Sequence, residues 1–359
     1  MNALKVFKNS EILITGHTGF KGSWLTALLL ELGAKVTGVS KDIPTNPSNF
    51  IELGLKDRIT HIELDVTNTT ELSRITKKIQ PDYIFHLAAQ PLVRKSVEKP
   101  LETWNSNSMG TVSLLESIKK ITKKCVVIFI TSDKVYKNQE WVWGYRETDL
   151  LGGFDPYSAS KAAAELAISS YVNTYFNPCG NIKVGIGRAG NVIGGGDWGA
   201  DRIVPDCVKS WAKSETVQIR NPLSTRPWQH VLEPLIGYLT LASKLTIDRS
   251  LHGEAFNFGP LNNNNHSVKD LVLEIAKHWT KVSWEDVSKK NEINSESNLL
   301  KLNCDKAKFY LNWQSLWDFE TTIKHTSSWY KNFYEQKNCL EFSINQINLY
   351  IQQLDDQNQ

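Results

Sequence analysis

Apolar runs and helical repeats alternate along the first half of the chain. "EILIT" (11–15) is a short apolar run that stops at Gly16. Trp24, Leu25, Leu28, Leu29 and Leu32 then recur at helical spacing, and Gly33 closes the segment. "KVTGVS" (35–40) and "HIELDV" (61–66) read as the second and third strands, with a helix around "TELSRITKKI" (70–79). "PDYIFHLAA" (81–89) is a fourth strand, followed by a long helix through "SMGTVSLLESIKK" (108–120). "CVVIFITS" (125–132) is a fifth strand, Tyr157 to Tyr171 a helix, and "IKVGIGRAG" (182–190) a sixth strand. Strands that alternate with helices predict a parallel sheet covered on both faces. Such a sheet binds ligands at the carboxyl ends of its strands.

After about residue 190 the rhythm changes. Glycine becomes dense in "GNVIGGGDWG" (190–199), and shorter helices alternate with isolated strands such as "TVQIR" (216–220) and "AFNFG" (255–259). This reads as a smaller second lobe that closes over the ligand edge of the sheet. The expected organisation is a nucleotide-binding domain over 1–187 and a smaller α/β lobe over 188–335, with some segments returning to the first domain. A helical tail over 336–359 completes it. "NNNN" (262–265) reads as a loop, and no internal repeat is present.

Composition narrows the function classes. The 359 residues carry a formal net charge of +3 with mixed signs, so no polyanionic partner is implied. No basic run with interleaved aromatics occurs, which argues against nucleic acid. The N-terminus lacks an apolar leader, and no run reaches the ~20 apolar residues of a membrane span. Five cysteines (125, 179, 207, 304 and 339) are scattered, with no C-x-x-C. This pattern reads as a reduced, cytoplasmic protein, and histidine spacing offers no metal site. Twelve tryptophans are many. They serve as core residues or as pocket walls for flat or sugar-like ligands.

The turn "TGHTGFKG" (15–22) lies between the first strand and the first helix. Gly16, Gly19 and Gly22 suit a tight turn, a close approach of backbone to phosphate, and packing of helix on sheet. The free N–H groups of a helix N-terminus favour pyrophosphate there. The loop therefore predicts a dinucleotide, with Phe20 opening the helix and His17 placed to contact pyrophosphate. Asp42 lies ~20 residues on, where an acid holds the ribose 2′-OH of NAD, or it is a loop charge. Its neighbour Lys41 would suit NADP.

"DPYSASK" (155–161) sets Tyr157 and Lys161 one helical turn apart on a shared face. A phenol titrates near ~10 and must come down by ~3, worth ~4 kcal/mol, to serve as a base at neutral pH. Lys161 and an oxidised nicotinamide are the expected sources of that shift. Ser132, ending the fifth strand, is placed to hydrogen-bond the sugar hydroxyl that Tyr157 would deprotonate. Asp133 and Lys134 follow it.

The G-x-x-G-x-x-G spacing resembles the extended short-chain dehydrogenase/reductases, and the wider set of motifs resembles their sugar-nucleotide branch. "TGHTGFKGSWL", "HLAAQPLVR", "TSDKVY", "WVWGYRE", "DPYSASKAAAEL", "RAGNVIGGGDW" and "RPWQHVLEPL" extend the likeness over nearly the whole chain. More narrowly, they resemble the CDP-glucose 4,6-dehydratase family. The resemblance implies an α/β fold, a Rossmann-type doubly wound parallel sheet with a smaller α/β substrate-binding lobe. It also implies bound NAD, a CDP-glucose substrate and a homodimer built on the helices after strands four and five. Asp65 and Val66 would lie against the adenine, and Leu87, Ala88 and Ala89 would line the cofactor. Gln90, Ser132, Asn191, Arg202 and Arg226 would hold the substrate, with Arg188 and Arg220 as weaker candidates. Trp143 and Tyr145 are a lid or sugar contact on one reading and core on another. In the related dTDP-glucose dehydratases an Asp protonates the leaving 6-hydroxyl and a Glu takes the C5 proton. Here Asp133 keeps the first place and Lys134 stands in the second, either as a neutral base or as a charged support. A 4-epimerase, or a dehydratase of another nucleotide sugar, is the alternative.

Overall fold

A computed structural model describes residues 4–177, 179–260, 266–288 and 299–357. The tetra-asparagine stretch read as a loop lies outside the described residues. Six strands follow the expected order: β1 Glu11–Thr15, β2 Lys35–Ser40, β3 Thr60–Glu63, β4 Tyr83–His86, β5 Cys125–Ile130 and β6 Ile182–Ala189. A seventh, Ala255–Phe258, pairs with β6. The sheet runs β3-β2-β1-β4-β5-β6 and ends on that seventh strand. All of its pairings are parallel. The strand order reverses between β1 and β4, which opens a crevice at their carboxyl ends.

One expectation is corrected here. "AFNFG" is not an isolated strand of a second lobe; its residues 255–258 form an edge of the main sheet. Its four residues are all buried, as expected for a strand covered on both faces. Local pattern carried no information about which sheet it would join. "TVQIR" does form a small separate pair, Val217–Ile219 with Trp284–Asp286.

Alternation along each strand divides the core into two layers. Ile12 and Ile14 of β1, with Val126, Ile128 and Ile130 of β5, pack into the layer that holds Trp24, Leu28, Tyr238 and Leu241. Leu13, Val127 and Phe129 point the other way, toward Leu72, Leu114, Leu115 and Ile168. Helix α1 (Phe20–Glu31) covers the first face. On the second face the helix expected over 108–120 is longer and broken in character. It runs as α-helix over Pro100–Trp104, as a π-turn over Asn105–Met109, and as α-helix again over Gly110–Ile118. The helix Pro156–Tyr175 begins with Asp155 as N-cap, whose side chain accepts from Ser158 N, and with proline at its first position.

The Gly-rich segment after β6 is held both by α1 and by the C-terminal helices. Trp24 donates its indole N–H to Gly195 O at 2.8 Å. A Cβ on Gly195 would sit 1.9 Å from the Trp329 ring, so only glycine fits. Trp329, on the helix Phe319–Tyr334, is fully buried and donates to Ser343 Oγ of the helix Cys339–Gln357 at 2.8 Å. We expect Trp329→Ala to cost ~3–5 kcal/mol, the usual range for emptying a buried aromatic site. Urea unfolding measures it; a loss below ~1 kcal/mol would mean the tail helices do not hold this segment.

Candidate active site

The glycine turn does three different things. Gly16 has φ +77°, and a Cβ there would lie 2.6 Å from Ala88 N, at the end of β4. A Cβ on Gly22 would lie 2.1 Å from Gly16 O, so the first turn of α1 packs directly on the loop. Gly19 meets nothing closer than Gly16 O at 3.5 Å. Its backbone faces open space at the N-cap of α1, where Phe20 begins the helix. That is the cradle a pyrophosphate requires. Leu87, Ala88 and Ala89 are half-buried at the end of β4 beside it.

The adenosine side is mixed. Asp42 is exposed just beyond β2, and its backbone carbonyl accepts from Thr18 Oγ1 at 2.7 Å. The Lys41 ammonium is 3.7 Å from Glu102. Val66 is buried, and a Cβ on Gly110 would approach its Cγ2 to 2.9 Å. The Asp65 carboxylate accepts from Thr67 N and Thr67 Oγ1, a local turn that orders the end of β3.

His17 corrects the expectation of a pyrophosphate ligand. Its Nδ1 lies 2.9 Å from Ser40 Oγ and its Nε2 lies 2.7 Å from His61 Nδ1. The imidazole is fully buried and has no nitrogen to give a phosphate. Burial, then the neighbouring His61, brings its pKa down to about 4. Gln90 is corrected in the same way. Its side chain donates to Leu92 O at 3.0 Å and Thr103 Oγ1 at 2.9 Å, and accepts from Leu92 N. It shapes the loop after β4 and is spent there.

The chemistry gathers where β5 ends. Ser132, Asp133, Tyr157 and Lys161 are all buried, and Lys134 is half-buried. Ser132 Oγ caps the short 3₁₀ turn Asp133–Val135 by accepting from Lys134 N, and donates to Asp133 Oδ1 at 2.9 Å. Asp133 Oδ2 is buried without a hydrogen-bond partner among the described residues. Burial raises the Asp133 carboxyl, against the pull of Lys134, Ser132, Arg226 and Lys21. The Lys134 ammonium makes no hydrogen bond or ion pair among the described residues.

Tyr157 and Lys161 share the first turns of their helix as expected, but the electrostatics differ. Burial pushes the phenol up to about 12, while a Ser132 hydrogen bond and the Arg202 charge pull it back. Lys161 does not supply the main downward pull. Its ammonium donates to Ile130 O at 3.2 Å. Burial and Lys21 bring it down to about 7, with Glu165 opposing.

The other substrate candidates divide. Arg202 pairs with Asp197 at 2.7 Å and lies close enough to Tyr157 for its charge to act on the phenol. Arg226 is buried, donates to Thr225 O at 2.8 Å, and acts on Asp133. Asn191 is half-buried, and its backbone carbonyl accepts from Gln229 N at 3.1 Å. Arg220 pairs with Asp201 at the surface, 3.0 Å away. Arg188 is buried against Glu165 and is no nucleotide ligand. Tyr145 is buried and stacks on Tyr136 at 5.0 Å, which settles it as core, whereas Trp143 is 69% exposed.

A family model described as GDP-mannose 4,6 dehydratase matches residues 13–326. The chain belongs to that family. Within it, the chain is 43% identical to the CDP-glucose 4,6-dehydratase of Salmonella typhimurium, covering 96% of this chain and 97% of that protein. Among solved structures it is similar to a UDP-glucuronic acid 4-epimerase from Bacillus cereus in complex with UDP-glucuronic acid and NAD. That match has TM-score 0.76 and 25% identity over 90% of this chain and 100% of the other. A dTDP-glucose 4,6-dehydratase from Bacillus anthracis in complex with NAD has the same fold, with TM-score 0.75 and 22% identity over 92% and 99%.

Two residues of this dehydratase-family site went unread in the sequence. Lys21 sits inside the glycine loop, yet its charge reaches Asp133 and Lys161. Burial and Arg202 bring it down to about 8. The only sequence signal was a cation inside a phosphate loop. Asn107, in the π-turn, accepts from Gln90 N at 2.8 Å and donates to Gln90 O and to Ser160 Oγ. It ties the loop after β4 to the helix of Tyr157. A π-turn leaves no sequence pattern of its own, though such turns gather at functional sites. Among the described residues no cluster of His, Cys, Asp or Glu could hold a metal.

The His17 environment has a pH consequence. An imidazole whose folded pKa is depressed contributes stability above its unfolded value near ~6.5, and loses it as pH falls toward about 4. We expect the stability gap between wild type and His17→Gln to shrink by about 2–3 kcal/mol between pH ~7 and ~4.5. Urea midpoints at the two pH values measure it; a gap that does not change would mean His17 is not held neutral.

Proposed function

We propose that this chain converts CDP-glucose to CDP-4-keto-6-deoxyglucose and water, as a 4,6-dehydratase using NAD. The observation that carries the reading is the buried Asp133 carboxyl with one oxygen unpartnered, set between Ser132, Lys134 and Tyr157. The 43% identity to a CDP-glucose 4,6-dehydratase supports the choice of substrate. The turn over Gly16, Gly19 and Gly22 suits the cofactor pyrophosphate, with Asp42 placed at its ribose and Val66 at its adenine. Bound there, NAD supplies the acceptor for the C4 hydride and the donor that returns it to C6.

The protein's own residues handle protons and position. Tyr157 takes the 4-OH proton while Ser132 holds that oxygen. For this the phenol must come down from the value burial imposes. Lys161, one turn away, and Arg202 are the cations near enough to help. A ketone at C4 acidifies C5. Lys134 then removes the C5 proton as Asp133 delivers one to the 6-hydroxyl, and water leaves. Burial pushes the Asp133 carboxyl toward its protonated form, which is the form a general acid requires. Arg202, Arg226 and Asn191 hold the nucleotide diphosphate, the two arginines by their planar donors.

The same reading assembles two chains across the helices 100–118 and 156–175. These carry Leu101, Trp104, Met109 and Leu166 exposed, an apolar face that suits a second copy. It also places the protein in a reducing cytoplasm, which five free cysteines suit.

Mass spectrometry of CDP-glucose incubated with enzyme and NAD tests the reaction. The expected product is lighter by one water; an isobaric product would mark an epimerase instead. Lys134→Met tests the base. Methionine keeps the apolar stem and loses the amine, so packing changes little. We expect reduced nicotinamide to accumulate and C5 exchange with deuterated solvent to fall by ~10²–10⁴-fold, the usual worth of a positioned base. Exchange that survives at saturating substrate, with only KM raised, would assign Lys134 to electrostatic support.

A further inference from the structure

The motif "TSDKVY" is pinned at both ends by one buried pair. Before the reactive residues, Thr131 Oγ1 donates to Glu165 Oε1 at 2.6 Å. After them, the Tyr136 hydroxyl accepts from Arg188 Nη1 at 2.7 Å and donates to Asn257 Oδ1 at 2.7 Å. Arg188 Nε lies 2.9 and 3.1 Å from the two Glu165 oxygens, and Nη2 donates to the same carboxylate. Both side chains of the pair are almost wholly buried, at 4% and 2% exposure. The Arg188 guanidinium also lies over the Tyr136 ring, 4.9 Å from its centre. Glu165 stands one turn beyond Lys161, so the pair is rooted in the helix that carries Tyr157 and Lys161.

A buried ion pair is a poor way to gain stability, because desolvation offsets most of its attraction. What this one does hold is geometry. Asp133 and Lys134 sit on a single 3₁₀ turn, Asp133–Val135, with little backbone hydrogen bonding of its own. Tyr157 and Lys161 sit on a 20-residue helix that keeps its shape without help. Every nitrogen of the Arg188 guanidinium already donates to a protein acceptor, so the residue has another task than binding nucleotide.

We infer that Tyr136, Arg188 and Glu165 are positioning residues for the elimination step. They fix the turn carrying Asp133 and Lys134 relative to the helix carrying Tyr157 and Lys161. The inference rests on the dehydratase reading given above. It separates two half-reactions: slack in the turn misplaces the acid and base of elimination and leaves the C4 oxidation machinery in place.

Tyr136→Phe is the test. The ring keeps its stack on Tyr145 and its place under the guanidinium, and only the hydroxyl is lost. In single turnover, nicotinamide reduction should stay within about threefold of wild type. Solvent exchange at C5 and product formation should slow by ~10–100-fold, since a misplacement near 1 Å costs about that much. Reduced nicotinamide should accumulate, with KM for CDP-glucose unchanged. Tyr145→Phe is the control: it also removes a hydroxyl from the same aromatic cluster, but that hydroxyl serves Asn138 and Gln139 N and not Arg188. The control should lose thermal stability and show no split between the steps. Equal slowing of both steps in Tyr136→Phe, or a split in Tyr145→Phe as well, would reduce the network to a structural role. An active wild type with no split in Tyr136→Phe overturns the positioning role alone, whereas a wild type that leaves CDP-glucose intact overturns both readings.

Discussion

Burying a carboxyl group with one oxygen unpartnered is expensive, and the arrangement around Asp133 follows from that cost. The group rests on Ser132 through one oxygen and has nothing on the other. Its raised pKa means that the protonated form is the one burial favours. Cations approach from different parts of the chain: Lys21 from the glycine loop, Lys134 from the same turn and Arg226 from beyond β6. Gly190 at the end of β6 has no side chain because a Cβ would sit 3.0 Å from Asp133 Oδ2. Residues from beyond β6 and from the glycine loop therefore both face the end of β5, and their charges act on one another there.

Like charges crowd that space. Burial, with Arg202 acting on Lys21 and Lys21 acting on Lys161, brings Lys21 down to about 8 and Lys161 to about 7. Such depression is unfavourable for folding, since each cation would be easier to hold in water. Anionic groups relieve it, and a dinucleotide pyrophosphate together with a nucleotide diphosphate brings several. Anionic phosphate groups are therefore the chemistry this cluster of cations favours.

The main sheet was legible in the sequence because strands buried on both faces are continuous apolar runs, and "CVVIFI" or "YIFH" can hardly be anything else between turn signals. The segment 255–258 was recognisable as a strand but not as part of this sheet, because a parallel partner is chosen by topology rather than by local pattern. Motif membership picked out Ser132, Asp133, Lys134, Tyr157 and Lys161, which the fold brings to the end of β5, but it gave no side-chain direction. His17 and Gln90 lie in the right loops with side chains turned to Ser40, His61, Leu92 and Thr103. A loop sequence states that backbone passes a ligand; it does not state which way each side chain leaves. Lys21 was overlooked for the opposite reason, since its partners come from residues more than a hundred positions away. Arg188 stood as a weaker substrate candidate because nothing local distinguishes a buried arginine from a ligand, and Glu165 became its partner only through folding.

The division of labour between helix and turn has a physical basis. In the reaction proposed above, oxidation at C4 needs a phenol and an ammonium held one turn apart, a spacing that an α-helix enforces by its own hydrogen bonds. Elimination needs an acid and a base side by side in sequence yet reaching different carbons, C6 and C5. A regular helix would point consecutive residues about 100° apart along a fixed axis, and a strand would send them to opposite faces. A 3₁₀ turn at the end of a strand escapes both constraints, because its residues leave the sheet while the strand behind them stays fixed. The cost is a short element that cannot hold itself. That is why Thr131 and Tyr136, the residues flanking the reactive positions, are the ones tied into the interior, and why the tie is made by charged and hydroxyl groups whose geometry is directional rather than by apolar packing that tolerates sliding.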